Sequence, residues 1–409
     1  MGLFYSRSFG SARDNDENAN DEDNSAEYKF RPLVFRHVSC GEGIWPRARS
    51  GHKIVSNCNE IFSYGGYNPD SVGSDLGLDD EVWMESKPLF RELWKYNISR
   101  NEWVKVPAAN IPFVLASNAV ILQGNVLLVY GGTGVPFGGH CSNTLFVCDL
   151  NAEVPTFKTV EVSGDAPEAQ YGQAAFVHQK FFYVIGGTTG YDYSCDVHRL
   201  HLSSGKWEVH HLNRGIPPDP PGRYRHELGL QLHRSKVFVF GGGTAHFSYG
   251  FQEIPVFDLE RHEWSVVVTI GDPKVQENDG YPVHRRFHSL VQSPGGHEVF
   301  ITGGESGVVL LCDSWKLDME SLQWTRIDSL ELETPLYFHA STLSPQGKLY
   351  IFGGITYACR TNALMSAWLK IPSLQEMCWD AIMYYKFTDR LSKDTLRRLL
   401  PPKFMKRLD

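Results

Sequence analysis

Hydrophobic and polar positions along the chain recur in one pattern. Six times an apolar run ends in two glycines: Ile61-Phe62-Ser63-Tyr64-Gly65-Gly66, Leu127-Leu128-Val129-Tyr130-Gly131-Gly132, Phe182-Tyr183-Val184-Ile185-Gly186-Gly187, Val237-Phe238-Val239-Phe240-Gly241-Gly242, Glu298-Val299-Phe300-Ile301-Thr302-Gly303-Gly304 and Leu349-Tyr350-Ile351-Phe352-Gly353-Gly354. The spacing averages about 58 residues. A variable loop follows each glycine pair, then a strand of alternating apolar positions such as Leu93-Trp94-Lys95-Tyr96-Asn97 or Val256-Phe257-Asp258-Leu259. A polar turn then leads to an aromatic residue: Trp103, Phe157, Trp207, Trp264 or Trp324. A continuous apolar run suits an inner strand buried on both faces. Paired glycines let the chain turn where no Cβ fits, and the aromatic can fill the wedge between neighbouring sheets.

No such sheet buries its faces alone, so the units are expected to stack in a ring. This predicts an all-β fold, a six-bladed propeller over residues 29–371. The sixth unit has a strand near 363–370 but no fourth strand after it, whereas Phe35-Arg36-His37-Val38-Ser39-Cys40-Gly41 stands alone near the start. That segment matches Phe157–Gly164 in character, so the N-terminal strand is expected to complete the last blade. The competing assignment makes Trp379 the last blade aromatic. The repeat resembles the kelch family over roughly Tyr28 to Ile371, which implies the same propeller.

After Pro372 the period changes. Leu374, Cys378 and Ile382 fall at i, i+4 and i+8, one stripe of a helix with Ser373 as N-cap. A second helix is expected over Ser392–Leu400, ended by Pro401-Pro402. A capping helix packed on the propeller is one reading of residues 372–409. Against it, the segment is apolar on more than one face, and a ring closed by its own strands cannot cover it all.

The composition is 42% hydrophobic, 21% charged and 13% aromatic with 38 glycines, and the net charge is −8. That suits a turn-rich globular chain and argues against broad nucleic-acid binding, which needs a basic face. Residues from Asp14 to Glu27 are dense in Asp, Glu and Asn, and residues 1–28 read as a disordered acidic head. Eight cysteines lack CxxC or zinc spacing and no signal peptide is recognisable, so reduced thiols in a cytoplasmic or nuclear protein are expected. No apolar run approaches the ~20 residues of a membrane span, although Met1-Gly2-Leu3-Phe4-Tyr5-Ser6 fits the loose pattern for myristoylation at Gly2. There is no HExxH, GxSxG, P-loop or dinucleotide fingerprint. Nothing among the sixteen histidines singles out a metal set. No cofactor and no catalytic residue is expected.

The loops before each first strand carry a recurring basic pattern: Arg49-Ser50-Gly51-His52, Arg223-Tyr224-Arg225-His226, Arg285-Arg286-Phe287-His288 and Tyr337-Phe338-His339. Ser117-Asn118 and Gln170-Tyr171-Gly172-Gln173 break it in the second and third units. One reading has Arg223, Arg225, Arg285 or Arg286 grip a peptide's terminal carboxylate, which a guanidinium fork matches bidentately. Ser248 or Ser306 would add a hydroxyl, and Tyr171, Tyr191, Tyr249 and Phe247 would wall a small terminal residue. The other reading has the Arg and His residues pin loops to the propeller rim.

Two tail segments carry a further resemblance. Ser373-Leu374-Gln375-Glu376-Met377-Cys378-Trp379-Asp380-Ala381-Ile382 is similar to the BC-box of elongin-binding proteins, and Leu400-Pro401-Pro402-Lys403-Phe404-Met405-Lys406-Arg407-Leu408 to the cullin 2 box. Lys403 stands where the cullin 5 type has a second proline. The whole resembles the kelch-domain substrate receptors of cullin 2 ubiquitin ligases, which read C-terminal degrons. That implies elongins B and C and cullin 2 with its RING subunit as partners and client C-termini as ligands, and a small last residue such as Gly or Ala would suit the aromatic-walled, arginine-based pocket. Leu374, Cys378 and Ile382 would bind elongin C, and Leu400, Pro401, Phe404 and Leu408 would bind cullin 2. The rival function is a cytoskeletal or scaffolding kelch protein. Many of those carry a BTB domain, which the first 28 residues cannot hold.

Overall fold

Each glycine-ended run forms the second strand of a sheet, and six such sheets ring one axis in the computed structural model, which describes residues 27–38, 43–71, 89–113, 115–405 and 407. Blade 1 runs Lys53–Ser56, Glu60–Tyr64, Leu93–Asn97 and Glu102–Val106, antiparallel throughout. The first strands of blades 2 to 6 are Ala119–Gln123, Ala174–His178, Glu227–Gln231, Ser289–Gln292 and Ala340–Leu343. These short strands are innermost and touch one another around the axis. The apolar run is therefore an inner strand, one place out from the centre. It is buried on both faces because a blade lies on either side of it.

Blade 6 closes the ring with strands from both ends of the repeat region. Arg36–His37 pairs antiparallel with Leu364–Trp368, Arg36 opposite Ser366 and His37 opposite Met365. Backbone bonds from Leu33 N to Trp368 O and from Val38 N to Leu364 O, both 2.8 Å, extend the seam. Blade 3 gains a fifth strand, Ser163–Gly164, laid parallel on Lys206–His211.

The wedge aromatics are buried where they were expected. Ring centroids of Trp103 and Phe352 lie 4.9 Å apart, Phe157 and Tyr64 5.6 Å, Trp207 and Tyr130 5.6 Å, and Trp324 and Phe240 6.2 Å. In each case the aromatic reaches back to the last residue of the previous blade's run, so one side chain seals two sheets. Trp379 has no such place; it lies in the tail.

The glycine pair answers to the residue at the start of the first strand. In blade 6 a Cβ on Gly353 would meet His52 Cε1 of blade 1 at 2.5 Å, and one on Gly354 would meet the Cβ of His339 at 2.7 Å. Both glycines also have positive φ, +63° and +105°.

The tail carries four helices: α1 (Leu374–Tyr384), α2 (Phe387–Arg390), α3 (Lys393–Leu399) and α4 (Pro402–Met405). Ser373 Oγ caps α1 by accepting from Glu376 N at 3.3 Å, and Ser392 Oγ caps α3 by accepting from Thr395 N at 3.2 Å. One face of α1 is fastened down. Trp379 stacks on Phe404 at 5.0 Å. Asp380 accepts from Lys348 Nζ of blade 6 at 2.8 Å and from Tyr28 Oη at 2.7 Å, and both oxygens of Glu376 accept from Arg407 at 2.8 Å. Burial alone would raise the Asp380 pKa, but Lys348 and these hydrogen bonds outweigh it and hold it below the ordinary carboxylate range.

Candidate functional site

The residue just before the His, Asn or Gln that opens each first strand adopts the left-handed conformation in all six blades. Gly51, Ser117, Gly172, Arg225, Phe287 and Phe338 have φ between +54° and +67°. Five backbone hydrogen bonds of 2.7 to 3.2 Å join neighbours: Gly51 N to Phe338 O, Ser117 N to Gly51 O, Gly172 N to Ser117 O, Arg225 N to Gly172 O and Phe338 N to Phe287 O. The result is a collar that narrows one end of the axis. Glycine takes this conformation freely, but an arginine and two phenylalanines do so at a cost of about 1 to 3 kcal/mol each, the kind of strain that marks binding sites.

Arg225 spans the collar. Its Nη2 donates to Ser117 Oγ of blade 2, its Cζ lies 4.9 Å from the Phe338 ring of blade 6, and a Cβ on Gly51 of blade 1 would come within 3.3 Å of it. Its Nε is buried without a partner. Burial pulls the pKa down to about 10, against the opposing pull of Tyr224 and Glu227, so the group remains a cation at neutral pH. Among the described residues no carboxylate is bonded to it.

Aromatic rings line the same end. Tyr171 meets Tyr224 edge-on at 6.2 Å, Tyr193 meets Tyr224 at 5.4 Å, Tyr224 meets Phe287 at 5.7 Å, and Phe287 stacks on Phe338 at 3.8 Å beside Tyr337. Tyr224, Phe287, Tyr337 and Phe338 were visible in the sequence only as spacers of the basic pattern. Phe287 and Phe338 share the left-handed place just before each histidine with Arg225, and Tyr224 and Tyr337 stand one place earlier. Ser248 forms an isolated antiparallel bridge with Gly243, and its Oγ is buried without a partner. Tyr191 and Phe247 stand at the loop tips, 85% and 68% exposed.

Several expected ligand residues are otherwise employed. Arg223 and Arg285 are 3% and 0% exposed. Arg223 donates to Pro221 O and Gly241 O and lies 4.1 Å from the Tyr249 ring. Arg285 donates to Val283 O and Gly303 O and forks onto Asp313 at 2.7 and 2.9 Å. Arg49 repeats the arrangement with Arg47 O, Gly65 O and Glu92. These hydrogen bonds tie each of the three arginines to its own blade. Arg286 pairs with Glu305 at 2.9 Å and donates to Thr244 O. Ser306 Oγ accepts from Val309 N at 3.0 Å within its own turn, and Tyr249 is spent on Arg223 and, through its hydroxyl, on Gly222 O at 3.3 Å.

The histidines belong to the same framework. His52 Nε2 donates to Phe352 O of the previous blade at 3.1 Å, as Gln173 Nε2 does to Tyr130 O at 3.0 Å. Burial pushes His226 and His339 down to about 3, with the charge of Arg223 adding to it for His226 and that of Lys53 for His339. An unfolded histidine titrates near 6.5. Below that pH the unfolded chain takes up protons that the folded ring refuses, so stability is full above pH 6.5 and falls as pH drops toward 3. Replacing His226 by Gln, the residue blade 3 uses, is expected to reduce the loss between pH 7 and 5 by about 2 kcal/mol in denaturant titrations. An unchanged loss would show that His226 is not held neutral.

The tail offers a second surface. Leu374 is 74% exposed, Cys378 is exposed and Ile382 half-buried, along the side of α1 away from Trp379 and Asp380. Leu400 is half-buried and Pro401 exposed. Phe404, expected to be available to cullin 2, is 3% exposed beneath Trp379, and Leu408 lies outside the described residues. A cleft of about 420 Å³ separates α1 from the edges of blades 6 and 1, lined by Arg31, Arg36, Tyr96, Trp368 and Tyr384, away from the collar. No described helix is long and apolar enough to cross a membrane. No cluster of three His, Cys, Asp or Glu residues able to hold a metal occurs among the described residues.

A ring of six glycine-paired sheets with a strand-closed sixth blade defines a kelch-repeat propeller. Consistent with this, the family profile described as the KLHDC2/KLHL20/DRC7 Kelch-repeats domain matches residues 8–242, and the Attractin/LZTR1 beta-propeller matches residues 127–385. The chain is 41% identical to the Kelch domain-containing protein 10 homolog of Drosophila melanogaster, across 93% of this chain and 66% of the fly protein. It is 40% identical to Kelch domain-containing protein 10 of Xenopus tropicalis, across 83% and 80% of the two chains, and 38% identical to that of Homo sapiens, across 83% and 74%. The chain belongs to the Kelch domain-containing protein 10 family.

Proposed function

We propose that the protein is a non-catalytic substrate receptor: the collar binds the C-terminal end of a client protein, and α1 docks the receptor on elongins B and C within a cullin 2 ubiquitin ligase. The observation that carries this reading is the stripe of exposed Leu374 and Cys378 with half-buried Ile382, on a helix whose opposite face is bolted to a ring already closed by its own strands. An apolar helix face left open by its own domain is suited to a groove on a partner. The BC-box pattern supports elongin C as that partner, and exposed Pro401 with half-buried Leu400 supports cullin 2 alongside it. With Phe404 folded inward, cullin contact would fall mainly on Leu399, Leu400 and Pro401.

At the other end, Arg225 is a desolvated cation with a free Nε and an aromatic surround. A terminal carboxylate would supply the missing anion, and a small last residue such as Gly or Ala would suit the nearby rings. The experiment compares client-type peptides with a free and an amidated C-terminus. Amidation is expected to weaken binding about 30-fold or more, the lower end of what losing one buried charged partner costs. Equal affinities would rule out end recognition while leaving the docking role open. A scaffold role without a ligase would instead leave elongins unbound.

A further inference from the structure

Beneath the collar, Lys53 of blade 1 and Glu227 of blade 4 reach across the axis and pair at 2.9 Å. Blades 1 and 4 are opposite in a six-membered ring, and Lys53 and Glu227 each open a first strand. The equivalent residues elsewhere are Ala119, Ala174, Ser289 and Ala340. Four small residues thus leave the axis to one cross-ring ion pair, with Arg225 two residues before Glu227. Among the described residues, the axis therefore holds two cations and a single carboxylate. The neighbouring described cations of this end are occupied: Arg286 by Glu305, and Arg360 by Ser50 Oγ at 3.0 Å and Asp70 at 3.7 Å.

We propose that the Lys53–Glu227 pair sets the charge selectivity of the collar, admitting a ligand that brings one negative charge and rejecting one that brings two. This rests on the end-recognition reading and deepens it. One carboxylate completes the balance of two cations with two anions. A second, from a terminal Asp or Glu or from a phosphate, must be desolvated facing Glu227 with no cation left to take it, and an unpaired buried charge is costly. Accepted clients therefore end in an uncharged residue with a free carboxylate. Glu227 acts as the excluder, and Lys53 keeps Glu227 from neutralising Arg225.

The test uses the full chain and three pools of fluorescent decapeptides, randomised except for the last residue: free Gly, free Asp, and amidated Gly. The parent protein is expected to capture the Gly pool about tenfold better than the Asp pool. Glu227→Gln should bring the two pools within about threefold, and Lys53→Met should weaken capture of the Gly pool about tenfold or more by letting Glu227 turn to Arg225. The double variant Lys53→Met/Glu227→Gln removes both charges, keeps Arg225, and is expected to retain tight capture of the Gly pool with discrimination against Asp reduced. It also serves if a lone Lys53 prevents Glu227→Gln from folding. Parent-like discrimination in a folded Glu227→Gln protein, or in the double variant, overturns the proposal while preserved discrimination against the amidated pool leaves end recognition standing. Equal capture of free and amidated Gly pools overturns both.

Discussion

Alanine at both Leu374 and Cys378 is expected to abolish recovery of elongins B and C with the full chain while leaving its thermal unfolding close to that of the parent. Both side chains are exposed, so the fold loses little by their truncation. Buried anchors at protein interfaces are worth about 2 kcal/mol or more each, so even one truncation should weaken the complex about 30-fold. The matching control lies on the opposite face of the same helix. Trp379→Ala removes the stack on Phe404 and the ring from its buried place. It should loosen the tail and lower its protection from proteolysis, which the exposed-face pair should not do. Elongin recovery undiminished by the exposed-face pair would mean that α1 is not the docking element.

Arg225→Ala should give the second large effect, a loss of about 30-fold or more in affinity for peptides with a free C-terminus. Titration of labelled peptides against the two proteins measures it. Truncation keeps the residue's backbone bond to Gly172 O, and alanine, which retains the Cβ, holds φ +54° with no more and no less strain than arginine. Arg285→Ala provides the contrast. It leaves the carboxylate of Asp313 buried without its guanidinium, and such breaks cost about 3 to 5 kcal/mol. Arg285→Ala should thus lower the unfolding midpoint, and Arg225→Ala should lower affinity. The two arginines sit in the same short motif type, but one is turned into its own blade and the other across the axis.

The ring was legible because its signals are redundant. Six glycine pairs, five wedge aromatics and one strand missing from the end but present near the start all describe the same closed object. What was not legible was the direction of each side chain in the loops before the first strands. Arg223 and Arg225 differ by two positions, and a string of letters does not say which of them lies in the left-handed place that faces the axis. That place is set by the histidine after it, whose ring is fixed against the first glycine of the previous blade. The pairing of Lys53 with Glu227 was hidden for another reason. It joins residues 174 apart that become neighbours only after the ring has closed. In the tail, periodicity gave α1 and its exposed stripe. It could not show that Phe404 would fold back under Trp379, since both are apolar and separated by two short helices and their turns.

Amide hydrogen exchange on the full chain, with and without purified elongins B and C, tests most directly whether the uncovered side of α1 is a docking face. New protection is predicted across residues 374–384, with the strands of the six blades unchanged. Protection appearing in the blades instead, or none anywhere at elongin concentrations in the micromolar range, would contradict it.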